Sequence, residues 1–156
     1  MKYLNLILII SLVSITSCNN EEFSNGIDHF IFGGYAGECV GNCAHFYLVQ
    51  NGEVYEDDVD YWFGTLADLK FSSTPLSKKK YDAAIALYNV MPRALVELPD
   101  STFGQPDAYD QGGWFIGLRE GVNIHNWTID TNPEVLPDYL QSYREDFIET
   151  MAIMKE

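Results

Sequence analysis

The sequence predicts an α+β fold, an antiparallel sheet built of two hairpin units with two helices packed on one face. Three observations carry that expectation: strand-turn-strand patterns at residues 44–56 and 113–130, an amphipathic helical pattern after each, and no βαβ alternation.

In chain order, a first strand is expected at about residues 28–34, where His29-Phe30-Ile31-Phe32 alternates before the chain turns glycine-rich. The aromatic and β-branched run at 44–50 is followed by Asn51-Gly52 and then Glu53-Val54-Tyr55-Glu56. An Asn-Gly pair between such runs marks a hairpin, because both turn residues must take positive φ. Residues 57–64 mix acids with large aromatics, and Ser72-Ser73-Thr74-Pro75 breaks any regular element. Ser77 is placed to cap a helix over 78–90, with Tyr81, Ala84, Ile85 and Tyr88 on one face and Pro92 limiting it. Residues 94–98 form a short apolar segment of undetermined type, and 99–112, with two prolines and two glycines, read as a long surface loop. Strands are expected at 113–119 and 123–130, joined by a turn at Glu120-Gly121. Pro137 suits the first turn of a last helix, whose apolar stripe is Leu140, Tyr143, Phe147, Met151 and Met154.

The N-terminus reads MKYLNLILIISLVSITSC, a short positive start at Lys2 and an apolar run over residues 4–15. That run is shorter than the ~20 residues a spanning helix needs, so it predicts a cleaved signal rather than an anchor. Its ending, Ile15-Thr16-Ser17-Cys18, is similar to a bacterial lipobox. The expected organisation is a lipoprotein signal peptide at 1–17, a lipidated Cys18 and flexible tether at 18–27, and one globular domain at 28–156. Acyl chains such as palmitate on Cys18 would hold the protein on a lipid bilayer without spanning it. The expected location is the bacterial outer membrane, on its periplasmic or its exposed side. The pair Glu21-Glu22 resembles surface-export signals of Bacteroidota lipoproteins.

Composition narrows the partners. The formal net charge is −14, and loss of the segment carrying Lys2 leaves 8 basic residues against 23 acidic ones, a net of −15. Such a chain repels phosphate backbones, so no nucleic-acid partner is expected. With 47% hydrophobic and 14% aromatic residues it has the material for a core, which excludes a disordered tail.

Few stretches carry recognisable chemistry. Cys39 and Cys43 stand three residues apart among glycines in GECVGNCAHF. With Cys18 taken by lipid they form an even pair, and an oxidising compartment favours a disulfide between them. Free thiols and a redox pair are lesser readings, and His45 keeps open a metal site with Cys39 and Cys43. Gly33, Gly34, Gly37 and Gly41 match no phosphate-loop spacing and are expected to permit positive φ in a tight loop. The acids Glu56, Asp57, Asp58 and Asp60 read as a solvated turn before a calcium site, and Asp130-Thr131-Asn132-Pro133-Glu134 lacks the glycine and final glutamate of an EF-hand loop. No nucleophile-base motif of a hydrolase occurs. Asp100-Ser101-Thr102 is similar to an O-glycosylation acceptor, at Ser101, in the expected exposed loop.

Phe32-Gly33 with Gly37-Glu38-Cys39, Val54-Tyr55-Glu56-Asp57, Gly112-Gly113, Trp127-Thr128-Ile129-Asp130 and Pro137-Asp138-Tyr139-Leu140 together resemble a family of small uncharacterised Bacteroidota lipoproteins and secreted proteins. The Phe-Gly-x-x-x-Gly-Glu-Cys segment is the most distinctive part, and the resemblance implies no activity. The expectation is therefore a membrane-anchored envelope lipoprotein acting as a non-enzymatic binding or structural module, without a cofactor. Its protein or glycan partner would be met by aromatic residues among Tyr35, Tyr61, Trp62, Phe63, Phe103, Tyr109 and Trp114. The alternative is an acidic inhibitor or immunity-type protein directed against a basic enzyme.

Overall fold

A computed structural model describes residues 28–62 and 64–156. The expected signal peptide at 1–17, Cys18, the rest of the expected tether and Phe63 lie outside the described residues. The described chain is α+β, with strands β1 (His29–Tyr35), β2 (Ala44–Gln50), β3 (Glu53–Glu56), β4 (Ser101–Phe103), β5 (Gly113–Glu120) and β6 (Asn123–Asp130) in one sheet of order β3-β2-β1-β5-β6-β4. The helices are α1 (Lys78–Asn89), α2 (Arg93–Val96) and α3 (Asp138–Met154).

The local patterns form the elements for the expected reasons. At the β2–β3 turn Asn51 and Gly52 have φ of 51° and 77°, the left-handed pair that a tight hairpin demands. Ser77 occupies the N-cap of α1, but its side chain makes no capping bond; its carbonyl accepts from the Lys80 and Tyr81 amides instead. The undetermined segment is the single turn of α2, which buries Leu95.

The sheet departs from the expected antiparallel one, because β4 pairs with β6 in parallel, Ser101 opposite Trp127 and Phe103 opposite Ile129. Carboxylates clip this short strand at both ends. Asp100 accepts from the Asn126 amide and Nδ2 at 3.1 and 2.7 Å, and Asp130 accepts from the Gln105 amide at 2.8 Å. Nor are the two hairpins two halves of the sheet: β1 lies between them, antiparallel to both β2 and β5.

All three helices contribute to the core on one face. Phe32 stands between Tyr47 and Ile116, and Ile116 opposite Trp127, so one row of large side chains crosses four strands and is wholly buried. Ala84, Ile85 and Leu87 of α1, Leu95, and Leu140, Tyr143, Phe147 and Met154 of α3 close over it. Each such side chain removed from water contributes roughly 1.5–3 kcal/mol. On α3 the fully buried stripe takes in Thr150, while Met151 is only half-buried. The start of α1 and the end of α3 are tied where Lys80 donates to the Met154 carbonyl at 2.6 Å and Lys79 pairs with Glu156.

The opposite face is covered by the acid-aromatic segment. Val59, Trp62, Leu66, Leu69 and Phe71 pack on Ala44, Phe46 and Phe115 there. Asp57 fastens this cover by accepting from the Phe46 and Val59 amides, and a bridge to Phe71 closes it.

Candidate functional site

Tyr35 stands opposite both Ala44 and Gly113, and Gly113 opposite Asp130. The sheet therefore gathers the 36–43, 104–112 and 131–137 loops at one end. The first of these is closed by the Cys39–Cys43 disulfide, with Cα atoms 5.8 Å apart, and by the Ala36 amide donating to the Cys43 carbonyl at 2.9 Å. It is also held to the covering segment, since the Cys43 amide donates to the Asp60 carbonyl at 2.8 Å. Cys39 is exposed, whereas Cys43 is buried.

Beneath this loop, on the helix side of the sheet, lies a groove of about 320 Å³. It is lined by Gly34 of β1, Trp114 of β5, Cys39, Asn42 and Cys43 of the disulfide loop, and Met151 and Lys155 at the end of α3. His45, Gln111 and Thr131 add polar groups to its lining. The volume lies at the small end of ligand sites, which run from about 300 to 1,000 Å³.

The two adjacent glycines of β1 differ in what holds them. A Cβ on Gly33 would stand 2.3 Å from the His45 carbonyl oxygen, so close strand packing requires glycine there. A Cβ on Gly34 would meet nothing closer than the Trp114 ring at 3.6 Å, and the backbone there is extended. Packing does not demand that glycine; its missing side chain keeps the groove open. Neither residue lies in a left-handed loop as expected from the sequence; of the four glycines read that way, Gly41 alone has positive φ.

Trp114 is half-buried and stacks on Phe147 with centroids 5.0 Å apart, while the Arg144 guanidinium carbon lies 5.5 Å from its centroid. Arg144 is also drawn to the Thr131 carbonyl at 3.4 Å. On the other face of the sheet, where Tyr35 meets Trp62, burial first and then the Asp107 and Asp130 carboxylates push the Tyr35 hydroxyl up to about 12, so it stays protonated at any physiological pH.

The other candidates scatter. Among the described residues no three His, Cys, Asp or Glu side chains converge to hold a metal ion, and with both sulfurs in the bridge His45 has no thiolate pair to join. Ser101 is not in the expected loop but opens β4, half-buried, its hydroxyl donating to the Pro99 carbonyl at 2.7 Å. The Asp130–Glu134 stretch caps a short turn, with Asn132 accepting from the Glu134 amide at 3.0 Å. Nor does a histidine join Asp130: His125 stands 3.8 Å from Asp100 toward the start of β6, roughly 17 Å of strand from Asp130. Trp62 packs on Phe46 and Phe115 and meets Tyr35 edge-on, and Phe103 packs against the core. Tyr61 and Tyr109 are exposed.

Among the described residues no helix is long and apolar enough to cross a membrane. Comparison of the chain with protein-family models, curated proteins and solved structures gives no match. Of the groove's residues, Tyr35, His45, Trp114 and the cysteines were visible as candidates in the sequence. Gly34, Met151, Thr131 and Lys155 were not, although a second glycine inside an otherwise bulky strand was a signal in plain view.

Proposed function

We propose that this protein is an envelope lipoprotein of Bacteroidota type, carried on acyl chains at Cys18, and that it works without catalysis as a binding module whose ligand site is the groove under the disulfide loop. The observation that carries the reading is Gly34. A glycine inside a strand is unfavourable for it, and at Gly34, next to last in β1, the space for a side chain exists yet is left open to the groove. The ligand class is a glycan, which suits a lining that mixes Trp114 and Met151 with the side-chain amide of Asn42 and the hydroxyl of Thr131.

Gly34→Leu tests it, because the new side chain fills the groove from a position where its Cβ fits. On a glycan array the wild-type protein should bind a discrete set of glycans, and G34L should lose them while keeping the wild-type circular dichroism and melting temperature. Equal binding by folded G34L removes the groove from the function. Failure of the wild-type protein to bind any glycan, with salt-sensitive capture of one basic enzyme instead, replaces this reading by the acidic-inhibitor one. Lipidation is tested separately: Cys18→Ala should move the protein from the membrane fraction to the soluble one.

A further inference from the structure

Basic side chains are scarce in this chain, and most are committed. Among the described residues Lys78 pairs with Asp82, Lys79 with Glu156 and Arg93 with Glu97, while Lys80, Arg119 and Arg144 donate to backbone carbonyls. Lys155 has no ion pair or hydrogen bond from its ammonium among the described residues, and it lines the groove. No carboxylate lines it, although the chain has 23 acidic residues.

From this we infer that the groove selects a carboxylate-bearing sugar, of the uronic acid class, over the neutral sugar of the same shape. The inference rests on the groove being the ligand site, as proposed above. Lys155 supplies the cation for the carboxylate at the mouth, where an unpaired ammonium gives up no existing partner on binding. Arg144, held against Trp114, adds positive potential beside the groove. The Asn42 amide oxygen accepts from the Ala44 backbone at 3.2 Å, which orients its NH₂ group and leaves that group to donate to ring hydroxyls.

The test is a titration of the protein with glucuronate, glucose and inorganic phosphate, read by calorimetry and by amide shifts in isotope-labelled protein, for wild type, Lys155→Met, K155E and G34L. The expected result is glucuronate binding at least about tenfold tighter than glucose or phosphate, weakened by salt. Amide shifts should centre on Gly34, Asn42 and Lys155, K155M should lose about tenfold and K155E more, and G34L should bind neither sugar. Equal binding of glucose and glucuronate, unchanged in K155M, overturns the acidic-sugar inference and leaves the groove reading standing. Phosphate as tight as glucuronate overturns the sugar part. If neither sugar binds the wild type, this inference falls, and the glycan array with G34L decides the groove separately.

Discussion

Asp130 is only 4% exposed, and burial alone would push its carboxyl up. The Asn132 and Gln105 amides, the Gln111 side chain and the Thr131 amide outweigh that and hold it below the usual carboxylate range. A depressed carboxyl contributes stability that is present above its unfolded value, near 4, and is lost as pH falls through the folded one. Asp130→Ala should therefore cost about 2–3 kcal/mol at neutral pH, by leaving buried amides without an acceptor. Thermal melts should show that difference shrinking below about pH 4. Tyr143 poses the opposite case: it is buried in the core, its hydroxyl has no hydrogen-bond partner among the described residues, and burial drives its pKa upward. Tyr143→Phe should leave the melting temperature unchanged or raise it, and a fall of more than about 1 kcal/mol would mean that the hydroxyl has a partner. Neither role was legible in the sequence. Asp130 read as a poor EF-hand mimic and Tyr143 as one apolar stripe member, because the groups that decide their energetics arrive from other loops and strands.

At the scale of elements, β1 carries a sharp internal contrast. Gly33→Ala should unfold the protein or cost several kcal/mol, since its Cβ would strike the backbone of β2, whereas Gly34→Ala should be tolerated. Parallel urea melts of the two variants measure this; equal effects would refute the assignment of packing to one glycine and openness to the other. The disulfide loop is a second element with a definite expectation. Mass spectrometry of the oxidised protein should show Cys39 and Cys43 two hydrogens lighter than the dithiol, and the Cys39→Ser, Cys43→Ser double variant should lose about 2 kcal/mol by loop entropy. Zinc bound in stoichiometric amount by a protein with two free thiols would contradict the bridge. Hairpins and long helices were readable because their signals are local: Asn51-Gly52, or a stripe from Leu140 to Met154. The short β4 was not, because three residues between proline and glycine become a strand only when Asp100 and Asp130 clip them to β6. The same holds for the cover formed by Val59, Trp62 and Phe71, whose acids suggested a solvated turn.

For the whole molecule, α+β was legible from the alternation of hairpins and helices, while the mixed sheet and the strand order were not. Both depend on which distant strand accepts β1 and β4. The groove is likewise a product of assembly, since Gly34, Trp114, Thr131 and Lys155 come from four separate parts of the chain and share no spacing. The chain's described part begins at Asp28, just before β1, and the groove lies at β1's other end. Seven extended residues span roughly 20 Å. Were the domain carried on acyl chains at Cys18, as proposed, the 18–27 segment would join it at the end of β1 away from the groove. The point of attachment and the groove would then lie a strand length apart, so that the chain carrying the domain would leave its site uncovered.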